Sequence, residues 1–271
     1  MDPIARVQAP GLAESSKPIL ELRGLTKAFS GLTAVSEVSM SVRAGHVQGL
    51  IGPNGAGKTT LFNLVTSVFP PSAGTVLFEG VDITGQPAHT VARLGVARTF
   101  QNVRLFGDQS VLENVVIGTY RNTRAGLAGG ILRLPGATAE QRGARAEAME
   151  CLAYVGLADL ADRQADALPF GQQRLLEFAR ALALRPKLLL LDEPAAGLND
   201  GETEALARLI DALPGRGITV LLVEHNMDLM MSVADRIVVL NGGVRIAEGT
   251  PEAVSADPAV IEAYLGEEET Q

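Results

Sequence analysis

The sequence predicts an α/β fold with a parallel β-sheet, and three observations support this class. The apolar residues 47–51 lead into a glycine-rich loop over residues 52–60, which a helical pattern follows. Residues 188–191 are all leucine, as expected for a parallel strand that is covered on both faces. A helical pattern over residues 202–213 and an apolar run over residues 218–223 repeat the alternation of helix and strand.

The first half of the chain is predicted to fold from about Ile19. Residues 1–18 have no apolar periodicity and are interpreted as a flexible tail. Prolines and a glycine over residues 70–74 indicate a turn. The apolar patterns predict strands over residues 19–23, 34–42, 75–79 and 96–100. The last of these strands would deliver Gln101 to the loop that follows it.

The second half alternates helical and apolar patterns around one irregular stretch. Helical spacing predicts helices over residues 111–117, 146–160, 172–184 and 202–213. Residues 121–145 are rich in glycine and arginine and are interpreted as an insertion that forms a surface loop. Strands over residues 237–240 and 244–247 are expected to form a hairpin through Asn241-Gly242-Gly243. Residues 267–271 are interpreted as an acidic tail after a single domain over residues 19–266.

Length and composition limit the class of protein. With 271 residues and 46% hydrophobic side chains, the chain is long enough for a large core. No apolar stretch approaches the roughly 18 residues of a membrane span, and the N-terminus lacks the basic and apolar segments of a secretion leader. A net charge of −8 argues against a nucleic-acid partner. The one cysteine, Cys151, is predicted to pack in the core, and a reducing cytoplasm is expected.

The glycine-rich loop has the spacing G-x-x-x-x-G-K-T between a strand and a helix, which predicts a polyphosphate site. Its glycines let successive backbone N–H groups point into one concavity, and the helix adds its positive N-terminal end. Lys58 would reach the β- and γ-phosphates, and the hydroxyl of Thr59 would bind Mg²⁺. The predicted nucleotide-binding residues of this phosphate loop are Gly52, Pro53, Asn54, Gly55, Ala56, Gly57, Lys58, Thr59 and Thr60.

Two acidic residues follow the leucine strand, at the end where the ligand crevice of a parallel sheet lies. Asp192 is predicted to hold Mg²⁺ through water, and Glu193 to act as the general base that activates a water molecule. His225 ends the neighbouring strand and would hydrogen-bond the γ-phosphate, while Gln101 would bring its amide to the metal or the water. Phe29 lies ahead of the phosphate loop and is either a packing residue or a stacking plane for a nucleotide base.

These motifs resemble those of an ABC transporter ATP-binding subunit over residues 19–265. The motifs that agree in order and spacing are the phosphate loop, Gln101, Leu168-Pro169-Phe170-Gly171-Gln172-Gln173, Asp192-Glu193-Pro194 and His225. The resemblance implies a P-loop NTPase core with a parallel sheet, an antiparallel β subdomain and a helical subdomain at about 102–185. It also implies a head-to-tail dimer in which each ATP lies between one phosphate loop and the other subunit's signature residues, Leu168, Pro169, Phe170, Gly171 and Gln172.

Finer features are similar to those of branched-chain amino-acid importers, namely residues 98–106, the insertion, residues 195–199 and residues 261–266. The resemblance implies two membrane permeases, a second ATPase subunit or a second copy of this chain, and indirectly a solute-binding protein as partners. ATP and Mg²⁺ are the implied cofactors, and the cytoplasmic face of the inner membrane is the implied location. Phe29 looks like the base-stacking residue, Gln101 like the sensor of the membrane partner and His225 like the switch histidine.

Three positions depart from the general pattern of the family. Pro169 replaces the serine and Phe170 the first glycine of the usual L-S-G-G-Q, which puts the serine's contact with the opposite ATP in doubt. Asn199 replaces the usual aspartate, so weaker charge-based crosstalk across the dimer is expected.

Other functions are kept as alternatives. ATPases of urea or short-amide uptake and of lipopolysaccharide export share several of these features. A soluble ABC ATPase acting on nucleic acid or ribosomes usually carries two nucleotide domains in one chain. A nucleotide-binding module without turnover would lack the base Glu193, which is present here.

Overall fold

The computed structural model describes residues 17–99, 104–119 and 135–268. Gln101, most of the predicted tail and residues 121–134 of the predicted insertion lie outside the described residues. The strands are, in chain order, β1 (Pro18–Phe29), β2 (Leu32–Arg43), β3 (Val47–Ile51), β4 (Ala73–Phe78), β5 (Val81–Asp82), β6 (Val96–Arg98), β7 (Leu188–Asp192), β8 (Thr219–Val223), β9 (Arg236–Asn241) and β10 (Val244–Gly249). The helices are α1 (Lys58–Val65), α2 (Ala88–Leu94), α3 (Val111–Thr119), α4 (Pro135–Tyr154), α5 (Phe170–Leu182), α6 (Asp200–Asp211), α7 (Met227–Val233), α8 (Pro251–Ser255) and α9 (Pro258–Glu268).

The strands form two sheets that differ in their pairing. The four-stranded sheet has the order β2-β1-β4-β5, and its neighbouring strands are antiparallel. The six-stranded sheet has the order β10-β9-β3-β8-β7-β6, in which the only antiparallel pair is β9 with β10. The carboxyl ends of β3, β6, β7, β8 and β9 therefore lie along one edge of this sheet.

The six-stranded sheet is buried on both faces, because a separate hydrophobic cluster covers each one. In β7, Leu189 and Leu191 pack into the cluster that contains residues of α3 to α7. Leu188 and Leu190 pack into the other cluster, with α1 and the antiparallel sheet. Burial on both faces explains why all residues from 188 to 191 are leucine. It confirms the prediction that this strand is covered on both faces.

Helices α3, α4 and α5 pack against one another beside the six-stranded sheet. Their buried hydrophobic residues, apart from Ala144, belong to one hydrophobic cluster, which also contains Leu189 and Leu191 of β7. In the ranges that the structure describes, no helix combines the length and the apolar character needed to cross a lipid bilayer.

Several helices differ from the bounds predicted from the sequence, among them the helix predicted over residues 146–160, which ends at Tyr154. Residues 135–145 were expected in a surface loop but belong to α4, whose alanine, glutamate and arginine residues favour helix despite the nearby glycines. Helix α5 begins two residues earlier than predicted, because Pro169 takes the N-cap position with φ −54° and Phe170 starts the helix. Helix α9 extends to Glu268, so the first two residues of the predicted acidic tail are helical.

Candidate functional site

The candidate site lies at the edge where the parallel strands end. Gly52 follows β3, Asp192 ends β7, and His225 comes two residues after the end of β8. Strands β7 and β8 pair in register from Leu188 to Asp192, so their carboxyl ends are adjacent. The fold thus brings the phosphate loop, the acidic residues and the histidine to one edge, as the strand order of an α/β sheet requires.

Glycine is needed at two positions of the phosphate loop because other chain segments approach it closely. Gly52 has φ +150°, and a Cβ atom there would lie 2.0 Å from the carbonyl oxygen of Leu240. Gly57 has φ +98°, and its Cβ would lie 2.5 Å from the carbonyl oxygen of Ala34. The end of β9 and the start of β2 therefore pack closely against the loop and hold it in its curled conformation.

Lys58 gives the phosphate loop a fixed positive charge. Its side chain is buried, and its Nζ donates hydrogen bonds to the carbonyl oxygens of Gly52 at 2.6 Å and Pro53 at 2.9 Å. Helix α1 begins at Lys58 without a side-chain cap, and Thr59 is exposed on its first turn. An uncapped helix N-terminus beside an ammonium group is suited to binding phosphate.

Asp192 is paired with Arg98, a residue to which the sequence motifs assign no role in the site. Its Oδ2 accepts a hydrogen bond from Nη2 of Arg98 at 2.7 Å. Nη1 of Arg98 also donates to Oδ1 of Asn63 at 2.6 Å, and the guanidinium lies over the ring of Phe62. Arg98 therefore connects Asp192 to α1, the helix that follows the phosphate loop.

The donors at this edge fit the chemistry of Mg²⁺, which prefers hard oxygen ligands. Thr59 offers a hydroxyl group and Asp192 a carboxylate. Within the described ranges, no cluster of three or more His, Cys, Asp or Glu side chains is placed to hold a metal ion. The residues fit an ion that arrives with a nucleotide, because Mg²⁺ then takes ligands from phosphate and water. Gln101, the third predicted ligand, lies outside the described residues.

Glu193 and His225, which are predicted to have separate roles in hydrolysis, are in direct contact. Oε1 of Glu193 lies 3.2 Å from Nε2 of His225, and the side chains are 18% and 48% exposed. Glu193 has φ +49°, and its backbone N–H donates to the carbonyl oxygen of Val223 at 2.9 Å. This left-handed turn directs the chain away from β7 directly after Asp192. The partial exposure of both side chains leaves them accessible to a ligand at the sheet edge.

Phe29 is the residue for which the sequence leaves packing and base stacking as alternatives. It ends β1, is 41% exposed and contacts Phe69 edge to face, with 5.3 Å between the ring centroids. Nζ of Lys27 lies 5.1 Å from the centroid of Phe29 and 4.9 Å from that of Phe69. Packing against Phe69 and Lys27 holds the ring in place while part of it remains exposed.

The predicted signature residues surround the start of α5. Phe170 is its first residue, and a Cβ on Gly171 would lie 2.1 Å from Oε1 of Glu202. A Cβ on Gly197 would lie 2.7 Å from the ring of Phe170. Gly197 follows the predicted base Glu193 by four residues. Phe170, the aromatic residue that replaces a glycine in the signature, therefore contacts the segment after Glu193 in the same chain.

Asn199 has a local structural role at the start of α6. Its side chain accepts a hydrogen bond from the backbone N–H of Glu202 at 3.0 Å, and the carboxylate of Glu202 accepts from the N–H of Asn199 at 3.0 Å. This is a reciprocal capping box, for which asparagine and aspartate serve about equally well. The replacement therefore preserves the cap while removing a negative charge.

Two further polar residues of the site were missed by sequence reasoning. Arg98 is a charged residue in a short apolar strand, which is the signal that could have identified it. Glu224 directly follows β8 and is buried, with three backbone N–H groups bound to its carboxylate. Both are close in sequence to a predicted site residue, Arg98 to Gln101 and Glu224 to His225.

Comparison with known families agrees with the fold. Residues 35–196 match the ABC transporter family, and residues 244–270 match the branched-chain amino acid ATP-binding cassette transporter family. This chain belongs to the ABC transporter family, in which it is an ATP-binding cassette and hence an ATPase. The match confirms the family predicted from the motifs.

Two curated relatives define the branch more closely. The chain is 47% identical over 253 residues to the high-affinity branched-chain amino acid transport ATP-binding protein BraF of Pseudomonas aeruginosa. It is 45% identical over 253 residues to the corresponding protein LivG of Escherichia coli K12. Each alignment covers 93% of this chain and 99% of the relative.

Solved structures of ATP-binding cassettes confirm the predicted α/β fold. A nucleotide-free cassette from an ABC transporter is 34% identical, with a TM-score of 0.80 over 92% of this chain and 99% of its own. A dimeric cassette in a post-hydrolysis state, bound to ADP and Pi, is 25% identical, with a TM-score of 0.73 over 86% of this chain and 98% of its own.

Proposed function

We propose that this chain hydrolyses Mg-ATP to drive the uptake of branched-chain or other hydrophobic amino acids through membrane permeases. The observation that carries the proposal is the contact between Glu193 and His225 at the sheet edge that also holds the phosphate loop. The names of the relatives BraF and LivG support the substrate class, as does the match of residues 244–270 to the branched-chain cassettes.

In this proposal the phosphate loop binds the β- and γ-phosphates through its backbone N–H groups, α1 and Lys58. Thr59, Asp192 and Gln101 would hold Mg²⁺, which would neutralise charge on the phosphates. Phe29 stacks on the adenine base. Arg98 keeps the Asp192 carboxylate beside α1 through its 2.7 Å hydrogen bond.

Hydrolysis then needs a group that accepts a proton from the attacking water. Glu193 takes this proton as the water oxygen bonds to the γ-phosphorus and the bond to the ADP oxygen breaks. His225, whose Nε2 lies 3.2 Å from Oε1 of Glu193, donates a hydrogen bond to a γ-phosphate oxygen. The chemistry needs positioning and charge stabilisation rather than a covalent intermediate.

The ATPase is proposed to act as a head-to-tail pair, formed with a second ATPase subunit or a second copy of this chain. Each ATP would lie between one phosphate loop and the signature residues of the other subunit. The dimeric cassette bound to ADP and Pi among the structural relatives supports the pairing of two cassettes. Two permeases and, indirectly, a solute-binding protein complete the proposed assembly on the cytoplasmic face of the inner membrane.

The test compares Glu193→Gln with Lys58→Ala in the purified chain, alone and mixed with its ATPase partner. Glu193→Gln keeps its size but accepts no proton, so phosphate release should stop while ATP still binds and accumulates in a dimer. Lys58→Ala should lose both ATP binding and ATP-dependent dimerisation. The measurements are phosphate release and light scattering.

Glu204→Gln is the matched control, because Glu204 is exposed on α6 and, in the part of the chain that the structure describes, its ion pair is a 3.9 Å surface contact with Arg208. It should behave as the wild type. Turnover at the wild-type rate in Glu193→Gln would remove Glu193 from the mechanism. Loss of turnover without any ATP-dependent dimer would contradict the paired arrangement.

A further inference from the structure

Glu224 places a buried carboxylate between the two loops that carry the predicted catalytic groups. Only 4% of the residue is exposed. Its Oε1 accepts the backbone N–H of Ala195 at 2.7 Å, and its Oε2 accepts those of His225 at 2.9 Å and Asn226 at 3.1 Å. One side chain therefore binds the segment after β7 and the segment after β8 at the same time.

These hydrogen bonds act on both sides of the contact between Glu193 and His225. On one side, the bound N–H belongs to Ala195, two residues after Glu193, which has φ +49°. On the other side, Glu224 holds the backbone of His225 itself. The 3.2 Å distance between the two side chains thus depends on two loops that share the Glu224 carboxylate.

We infer that Glu224 is a positioning residue for ATP hydrolysis, which sets the distance between the base Glu193 and the histidine His225. Among the described residues, the carboxylate forms no hydrogen bond with the phosphate loop or with α1. Its removal should therefore affect the chemical step rather than the binding of ATP. The inference rests on the proposed roles of Glu193 and His225.

The Glu224→Gln variant tests this because an amide has only one acceptor oxygen. Whichever way the amide is oriented, its NH₂ group faces a backbone N–H, so the link to one of the two loops is broken. Because small displacements of catalytic groups cost large factors in rate, kcat should fall by about tenfold or more. The KM for ATP should stay within about twofold, since the interactions lost are not made with the bound nucleotide.

Asp235→Asn is the control for removing the charge of a carboxylate that accepts a backbone N–H, although Asp235 itself is exposed. Oδ2 of Asp235 accepts the N–H of Val47 at 2.8 Å, at the opposite end of β3 from the phosphate loop. Its kcat should equal that of the wild type even where its melting temperature falls. A similar loss of kcat in both variants would show that Glu224 acts only through overall stability, and this would overturn the inference.

A double-mutant cycle with His225→Ala gives a readout that a purely structural role would not change. If Glu224 acts by positioning His225 and Glu193, the loss of kcat in the double variant should be clearly smaller than the product of the single losses. Losses that multiply would overturn the inference. All variants are assayed as the full chain with its ATPase partner, by phosphate release over a series of ATP concentrations.

Two outcomes separate this inference from the proposed function. If Glu193→Gln stops turnover but Glu224→Gln has the wild-type kcat, the inference fails and the proposed function stands. If Glu193→Gln turns over normally, the proposed role of Glu193 fails, and the inference, which rests on that role, fails with it. Should Glu224→Gln not fold, Glu224→Asp replaces it, because its shorter side chain keeps the charge but does not span both loops. A wild-type kcat in that variant would also overturn the inference.

Discussion

Arg98 and Asp192 form a buried ion pair, and this sets them apart from the surface pairs of the molecule. Their side chains are 9% and 4% exposed, and the nitrogen–oxygen distance is 2.7 Å. Lys187 and Glu79 are equally close at 2.6 Å, but their side chains are 54% and 44% exposed. Because water screens the exposed pair, the two pairs should differ greatly in their effect on stability.

We expect Arg98→Met to lower the free energy of unfolding by about 3–5 kcal/mol, because it leaves the Asp192 carboxylate buried without a counter-charge. Lys187→Met should change this free energy by no more than about 1 kcal/mol. Urea denaturation of the two variants and the wild type measures both values. Equal losses in the two variants would contradict the view that Arg98 neutralises Asp192 in the folded protein.

Phe29 is expected to contribute to ATP affinity through stacking on the adenine base. Phe29→Ala should raise the dissociation constant about fivefold or more, because stacking of a base on an aromatic ring is worth about 1–3 kcal/mol. Phe29→Tyr should keep the wild-type affinity. Leu32→Ala is the control, since Leu32 pairs with Phe29 across the turn and is 70% exposed. Fluorescence titration with nucleotide measures the affinities, and no change in Phe29→Ala would make Phe29 a packing residue only.

At the scale of single elements, the segment before α3 presents an exposed aromatic residue on a well-fixed backbone. The side chain of Asn114 is buried and bonds both the N–H and the carbonyl oxygen of Phe106, at 2.9 and 3.0 Å. Phe106 is 52% exposed, and the guanidinium of Arg180 lies 6.0 Å from its ring centroid. We propose that this segment contacts a short cytoplasmic helix of the permease.

Phe106→Asp should abolish coupled transport while leaving ATP affinity unchanged, because a charge replaces an apolar contact away from the phosphate loop. Val81→Asp is the control, since Val81 is similarly exposed at 55% but lies in the antiparallel sheet. Amino-acid uptake by the reconstituted transporter and nucleotide titration give the two readings. Normal uptake in Phe106→Asp would place the permease contact elsewhere.

The elements that were predicted well from the sequence are those whose residue pattern has a single local cause, such as one buried face or one tight turn. Alternating polarity predicted β2, and the turn Asn241-Gly242-Gly243 predicted the β9–β10 hairpin; both are present in the structure. Cys151 was expected in the core, and it is partly buried against the cluster that contains Leu189. Burial raises the pKa of its thiol to about 11, which agrees with a packing role.

Features that depend on tertiary contacts were not predictable from local patterns. β1 continues to Phe29 because register shifts in its pairing with β2 accommodate Gly24 and its neighbours. The pairing of Arg98 with Asp192 joins residues 94 positions apart, so no local spacing reveals it. The same applies to Glu224 and Ala195, which are 29 positions apart.

For the whole molecule, the order of the six-stranded sheet places the phosphate loop between distant parts of the chain. β3 lies between β8 and β9, which follow it by more than 160 residues. The loop is also fixed by the strand end at Leu240, and the N–H of Gly243 donates to the carbonyl oxygen of Ala56 at 3.2 Å. The loop conformation therefore requires contacts made by the last quarter of the chain.

This strand order has a consequence for the protein during its synthesis on the ribosome. A growing chain exposes the phosphate loop long before β8 and β9 exist, so it should lack a working nucleotide site until residue 241 has left the exit tunnel. In stalled nascent chains of increasing length, photo-crosslinking of an ATP analogue to the loop should begin only once β9 is free to pair. Crosslinking to chains that end before Thr219 would show that the loop forms without its neighbours. An unfinished subunit would thus be unable to consume ATP.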